Sequence, residues 1–383
     1  MKKKEFIALG LMSGTSMDGV DLSIVKSDGT SEFVSILDEY FEFDNNIRAK
    51  LINLRSKIFT INDLDRNSGE LKKIEKEITL FNGKIIKKVL SNTNEKVDLI
   101  GLHGQTIYHN PDLKISKQLG DGNLLSQITK KIVVNNFREN DLLNGGQGAP
   151  LTPIFHKLIS KIIYKKFQIK QPIHIINIGG ITNITQVKED NGELKNSDVL
   201  ACDIAPGNCL IDEWVRKNSK KKFDENGNIA KSGKVNEIIY NQAIDNFESK
   251  DYRKSLDIKD FDLSFVKGLS FEDGAATLTK FTAFLIARGI EYILKLSNKQ
   301  TGVFLVSGGG RKNNFLIDSI NFEILDKKNQ LENIDDYQLN GDFIESQAFG
   351  YLAIRSYLNF PITFPNTTGC KESCTGGVVV KNY

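Results

Sequence analysis

The chain opens with an apolar run, "FIALGLM", that breaks into small and polar residues, "SGTSMDG", and resumes as Val20-Asp21-Leu22-Ser23-Ile24-Val25. Apolar and polar positions alternate in the resumed run, and a period of two predicts a half-buried strand, so the stretch reads as strand, turn, strand. A phosphate-binding P-loop would end in Gly-Lys-Ser/Thr and open a helix, which excludes that motif here. Taken alone, the hairpin is an ordinary surface turn. "EFVSILDEYFEF" (32–43) predicts a third strand, and Leu71, Ile74, Ile78, Phe81, Ile85 and Val89 recur at helical spacing. "KVDLIGLHG" then reads as a strand, "GNLLSQITKK" as a helix and "IVVNNF" as a strand.

The second half repeats this pattern. "IHIINIGG" (173–180) runs through a glycine turn into "ITNITQV", and "SDVLACDIAPGN" predicts a third strand ending in Asp203. Helical stretches follow, then the apolar strand "GVFLVS" leading into Gly308, Gly309 and Gly310. Two halves that each begin with strand, glycine turn and strand predict duplicated lobes whose turns serve one ligand.

At 383 residues the chain exceeds the size at which one core stops growing. With 40% hydrophobic and 26% charged residues, it has the composition of an ordinary globular protein. The net charge of +3 is small, and the basic run "RKNSKKKF" has no interleaved aromatics, so it reads as a solvated loop and not as a nucleic-acid surface. The start "MKKKEFIALGLMSG" imitates a secretory signal, but Glu5 interrupts it and no cleavage site follows, so the first strand of a cytoplasmic protein is expected. No stretch is long and apolar enough to predict a membrane span. The four cysteines, Cys202, Cys209, Cys370 and Cys374, are too few and scattered for a disulfide framework. No histidine lies near them in sequence to complete a zinc set, so reduced thiols are expected.

The layout resembles the actin, hexokinase and Hsp70 superfamily, in which two hairpin turns clasp ATP phosphates and a later glycine-rich strand end meets the adenosine. The words "GLMSGTSMDGVD", "GLHGQTIYHNP", "QLGDGNLLSQIT", "NGGQGAPLTP", "NIGGITNIT", "CDIAPGN", "FEDGAATLT", "SGGGRKN" and "ESQAFGYLA" resemble, in order along nearly the whole chain, the anhydro-N-acetylmuramic acid kinases. The resemblance implies an α/β fold of two duplicated actin-like (ribonuclease H-like) lobes flanking a nucleotide and substrate cleft. The expected N-terminal lobe is 1–138 plus 358–383, and the expected C-terminal lobe is 139–357.

It further implies ATP contacts along Gly14, Thr15, Ser16, Met17, Asp18, Gly19, Val20 and Asp21, at Gly179 and Gly180, and at Gly308, Gly309 and Gly310. Backbone N–H groups of such turns can approach phosphate oxygens closely, and Thr15 and Ser16 can donate to the same oxygens. Asp18, with Asp21 beside it, is placed to hold Mg²⁺. Asp203 falls on the family's general base, against the alternative that it caps a helix beginning near Gly207. Ala205 stands where the family has Gly, and a positive φ there would strain it. Glu345, at a helix start, and Gly145, Gly146 and Gln147 are expected near the sugar. Glu345 would also be favoured there by the helix dipole alone, and the glycine loop could equally be a hinge. His103 reads as a buried residue fixing its loop, and His109, His156 and His174 as structural.

The implied reaction opens the 1,6-anhydro bridge of anhydro-N-acetylmuramic acid with water and transfers the γ-phosphoryl of ATP to O6, as part of peptidoglycan recycling. A plain sugar kinase and an ATP-switched actin-like protein are the competing readings of the same scaffold. Expected cofactors are ATP and Mg²⁺. The expected assembly is a cytoplasmic homodimer with no nucleic-acid or membrane partner.

Overall fold

The computed structural model describes residues 4–188, 196–247 and 252–383. Three strands, β1 (Phe6–Ser13), β2 (Gly19–Ser27) and β3 (Phe33–Glu42), lead into helices α1 (Asn45–Arg55), α2 (Ile61–Arg66) and α3 (Ser68–Asn92). A hairpin of β4 (Leu99–Asn110) and β5 (Ile115–Leu119) follows, then α4 (Gly122–Thr129), β6 (Ile132–Asn135), α5 (Glu139–Leu143) and α6 (Pro153–Phe167). The second series comprises β7 (Ile173–Ile178), β8 (Ile181–Val187), β9 (Val199–Pro206), α7 (Cys209–Asn218), α8 (Asn228–Ser232), α9 (Glu237–Asp245), α10 (Phe271–Leu296), β10 (Val303–Ser307), α11 (Asn314–Glu323) and β11 (Leu331–Asn333). The chain ends with α12 (Ile344–Tyr357), α13 (Pro365–Thr368) and β12 (Val378–Val380).

Two compact units result, one of Met1–Ile159 with Phe343–Tyr383 and the other of Ser160–Asp342. The first unit's sheet runs β12-β6-β4-β1-β2-β3, with β5 paired to β4, and the second's runs β11-β10-β7-β8-β9. In both, the first three strands are antiparallel neighbours, and the first strand pairs in parallel with the fourth. The strand repeat seen in sequence is therefore a repeat of topology, the ribonuclease H-like lobe made twice.

The unit boundaries fall elsewhere than the sequence placed them. Residues 139–159 and 343–357 pack in the first unit, where 139–357 had been expected in the C-terminal lobe. The reason is α12. A Cβ on Gly10 of β1 would lie 2.0 Å from Ser346 O, and one on Gly101 of β4 would lie 2.3 Å from Phe349 O. Bare backbone on the sheet thus lets the helix lie directly on β1 and β4, a closeness that any side chain would prevent.

Local signals account for the other elements. Asp44 and Asp121 cap α1 and α4 by accepting from Ile47 N and Leu124 N at 2.8 and 3.0 Å. On α3 the buried positions include Leu71, Ile74, Ile78, Ile85 and Val89, spaced by three, four or seven residues, so one stripe faces the first unit's core. In the second unit α10 covers the sheet, with Gly289 against Ile204 of β9 and Gly274 against the Trp214 indole. Among the described residues, no helix is long and apolar enough to cross a membrane.

Candidate active site

In the first unit, the β1–β2 turn divides its residues by direction. Met17 adopts a left-handed backbone (φ 55°) and is only 2% exposed, its side chain joining Leu22 and Ile24 in the core. That inward turn leaves Thr15 and Ser16 exposed. Val20 belongs to the same core, and a Cβ on Gly19 would meet Phe41 O at 2.5 Å. Of the expected ATP-contacting run, Met17, Gly19 and Val20 thus serve the fold through their side-chain positions, and Thr15, Ser16, Asp18 and Asp21 present polar groups.

The turn is held from β4, by a residue to which the sequence reading gave no role. Gln105 is buried, its Oε1 lies 2.7 Å from Ser13 Oγ, and its Nε2 donates to Gly14 O at 3.0 Å. The signal was present as a glutamine inside the apolar strand "LIGLHGQTIY". Ser16 Oγ donates to Asp18 Oδ1 at 2.6 Å, aiming that carboxylate. Burial and the charges of Asp18, Glu42 and Asp21 push the Tyr40 phenol above its ordinary range, so negative potential is concentrated at this end of the hairpin. Oxygen-only donors of that charge suit a hard cation such as Mg²⁺, and the residues present fit it.

Further along the first unit, Gly145 (φ 83°) shapes the loop after α5, and a Cβ on Gly146 would fall 2.2 Å from Asp141 Oδ2. Gln147 N donates to Thr368 O at 2.8 Å, and Gly148 N to Asp141 Oδ2 at 2.7 Å. Arg138 joins this loop to β4, donating to Gly148 O at 2.6 Å and, through its second terminal nitrogen, to His103 Nε2 at 2.8 Å. Burial and the Arg138 charge hold His103 well below its ordinary pKa, so it is a neutral acceptor and not an acid. That is the loop-fixing role expected of it. Glu345 lies half-buried in the first turn of α12, in the same unit as these residues and not in the second.

The second unit's β7–β8 turn is made of backbone. Gly207 N donates to Gly180 O at 2.9 Å and Asn208 N to Gly179 O at 2.8 Å, so β9's exit is stitched to the turn. Gly308 (φ 78°) has no room for a side chain, since a Cβ would lie 2.4 Å from Asn177 Oδ1, and one on Gly310 would lie 2.2 Å from Ile178 Cγ2. At Gly179 and Gly309 the case is different. Neither has positive φ, and a Cβ would meet nothing nearer than 3.6 and 3.9 Å, so no packing within the unit explains their bareness. Gly14 in the first unit is equally open, at 3.9 Å. Surfaces of this kind suit a ligand that approaches the backbone.

The triplet's support was not foreseen either. Arg311, whose side chain is nearly buried, donates to Gly308 O at 3.1 Å and pairs with Asp342 at 2.6 Å and Asp335 at 3.0 Å, while Gly341 N donates to Asp335 Oδ1. These carboxylates outweigh the desolvation that opposes the Arg311 charge and keep its pKa raised.

Asp203 is 7% exposed. The third strand does not end there but continues to Pro206, and opposite it Asn183 pairs with Asp203 while Thr182 pairs with Ala205. Ile204 is the extra residue of a β-bulge, which sends both Ile204 and Ala205 into the apolar core and leaves Asp203 as the polar exception. Ala205 has no positive φ, so the strain anticipated for it does not arise. The helix after this strand is capped at Asn208, not by Asp203. Instead Leu256 N donates to Asp203 Oδ2 at 3.0 Å.

Two ribonuclease H-like units of matching strand order, each opening on a glycine turn at the β1–β2 or β7–β8 junction, define the actin-like ATPase class of fold. A family model described as anhydro-N-acetylmuramic acid kinase matches residues 6–382. The protein named anhydro-N-acetylmuramic acid kinase from Pelagibacter ubique (strain HTCC1062) is 54% identical over 383 residues, covering 100% of both chains. Those of the same name from Zymomonas mobilis subsp. mobilis and Agrobacterium fabrum are 36% and 35% identical, covering 97% and 98% of this chain and 98% of each relative. The chain belongs to the anhydro-N-acetylmuramic acid kinase family.

Proposed function

We propose that this protein is the ATP-dependent kinase that hydrolytically opens 1,6-anhydro-N-acetylmuramic acid and phosphorylates O6, yielding N-acetylmuramic acid 6-phosphate for amino-sugar recycling. The observation that carries the reading is family membership across residues 6–382. Asp203 is the general base of the proposal: its carboxylate, oriented by the Leu256 amide, takes a proton from water as the water oxygen attacks C1. The C1–O6 bond breaks, O6 takes the γ-phosphoryl group, and the bond from the γ-phosphorus to the bridging oxygen breaks to release ADP. Thr15 and Ser16 with the Gly14 turn, and Gly179, Gly180 and the Gly308–Gly310 run, hold the nucleotide, while Gly145, Gly146, Gln147 and Glu345 hold the sugar. Asp18 and Asp21 would hold Mg²⁺, which supplies charge neutralisation on the phosphates.

A cytoplasmic homodimer belongs to the same proposal on family resemblance alone, and light scattering on the purified chain tests the dimer. The reaction is tested by mass spectrometry after incubation with ATP, Mg²⁺ and the anhydro sugar in heavy-oxygen water. The expected product has gained phosphate and one labelled oxygen, at C1. Gain of phosphate without label would make the protein an ordinary sugar kinase, and label in inorganic phosphate would make it an ATPase.

A further inference from the structure

Two cysteines that the sequence leaves without metal-binding company acquire a partner in the fold. Cys370, Cys374 and Asp141 are 2%, 4% and 2% exposed, and one ligand atom from each lies within 4.8 Å of the others. Cys370 follows the left-handed Gly369 (φ 74°) that ends α13. Cys374 is set by an antiparallel bridge to Thr363, with Cys374 N donating to Thr363 O at 3.0 Å. Asp141 comes from α5, its Oδ1 accepting from Thr368 Oγ1 at 2.6 Å and its Oδ2 from Gly148 N. A fourth group points the same way. The Thr363 hydroxyl is 1% exposed and lies within hydrogen-bonding reach of both thiols. Two buried thiols, a carboxylate and a hydroxyl thus converge on one small volume.

We propose that Cys370, Cys374 and Asp141 form a binding site for a divalent transition-metal ion of the zinc type, with Thr363 Oγ1 or a water in the fourth position. Two thiolates and a carboxylate are a borderline-soft donor set, and Cys370-x₃-Cys374 has the spacing of a zinc-binding cysteine pair. Tetrahedral coordination needs ligand–ligand separations of about 3.5–3.8 Å, so donors that already lie within 4.8 Å of one another need close by no more than about 1.3 Å. Binding M²⁺ forms two metal–sulfur bonds and releases two thiol protons to solvent. The local charge is −1 from Asp141 before and −1 after, so the buried site gains no net charge. The ion would tie the segment 363–374 to the loop that Asp141 holds, a consequence independent of what that loop binds.

The test is a titration of the full-length, chelator-treated, reduced protein with Co²⁺ alone. A thiolate-to-cobalt charge-transfer band and the visible bands of tetrahedral cobalt should saturate at one equivalent and vanish on adding Zn²⁺. Cys374→Ser should remove about half of the charge-transfer intensity and weaken cobalt binding at least tenfold, Asp141→Asn should weaken it with the charge-transfer band retained, and Cys209→Ser should change neither. Absence of the band in the wild-type protein overturns the proposal without any variant needing to fold. So does a full-strength band in Cys374→Ser, loss of the band in Cys209→Ser, or a mass lower by two hydrogens that marks a Cys370–Cys374 disulfide in place of a cobalt complex.

Discussion

The two units solve the same topological problem with different chemistry at their first turns. Between β1 and β2 the turn runs from Gly14 to Asp18 and offers hydroxyls and a carboxylate, aimed by Ser16 and held from β4 by Gln105. Between β7 and β8 the turn is Gly179–Gly180, and the groups that hold it are the amides of Gly207 and Asn208. One turn can place negative charge and exchange protons, and the other can only present backbone. A duplicated scaffold therefore does not imply duplicated roles. In the proposed reaction, metal chemistry belongs with the first turn, and the second contributes backbone alone. The proposed base, Asp203, stands on the strand that is stitched to the glycine turn.

The largest test of that division is Asp203→Asn. An amide cannot accept the water's proton, so kcat should fall by roughly 10²–10⁴ with sugar affinity retained, as read by single-turnover kinetics and calorimetry. A rate within a few-fold of wild type would move the base elsewhere. Asp18→Asn in the other unit should raise the Mg²⁺ requirement for turnover roughly 10–100-fold without altering sugar affinity, and Ser16→Ala, acting through Asp18, about tenfold or less. Equal loss in sugar affinity would blur the contrast between the turns.

The glycine triplet sharpens it from the stability side. Gly308→Ala places a Cβ at φ 78° and 2.4 Å from Asn177 Oδ1, so it should cost about 3 kcal/mol or more in denaturant unfolding. Gly309→Ala meets nothing nearer than 3.9 Å, so it should melt with the wild type yet raise the KM for ATP several-fold. A stable Gly308→Ala, or a Gly309→Ala with unchanged KM, breaks the distinction between packed and open glycines.

The smallest effect concerns acid. Burial lowers His109 to about 4 and His156 and His174 to about 3, and takes His103 well down, with the Arg138 charge adding to His103 and His109. A depressed folded pKa means that stability is fully present above the ordinary value near 6.5 and is lost as pH falls from there toward the folded values, because only the unfolded chain takes the proton. Each histidine contributes a slope of about 1.4 kcal/mol per pH unit in that window. His103, His109 and His156 lie in the first unit and His174 in the second, so hydrogen exchange between pH 6.5 and about 4 should show the first unit losing protection more steeply. Equal losses would mean that the units unfold as one.

Much of this was legible beforehand because it is local. Strands were marked by period two, α3 by its apolar stripe, and the turns by glycine, since each signal spans only the few residues that are neighbours within one element. The residue types of the candidate site, Thr15, Ser16, Asp18 and Asp203 among them, were readable for the same reason, aided by a family vocabulary spread along the chain. The strand end at Asp203 was misjudged because a bulge is set by the partner strand, and Ile204 goes inward only because β8 skips it.

What the amino-acid sequence determined by itself was thus the order of elements, their repetition and the chemistry each turn could carry. The tertiary structure alone decided which distant residues complete them. Glu345 joined the first unit because glycines on β1 and β4 admit α12, Gln105 reached the turn across a parallel strand pair, and Arg311 found Asp335 and Asp342. Asp141 met Cys370 and Cys374 in the same way. Such pairings leave no periodic trace, because they are fixed by packing and hydrogen-bond geometry between segments whose separation along the chain is unconstrained.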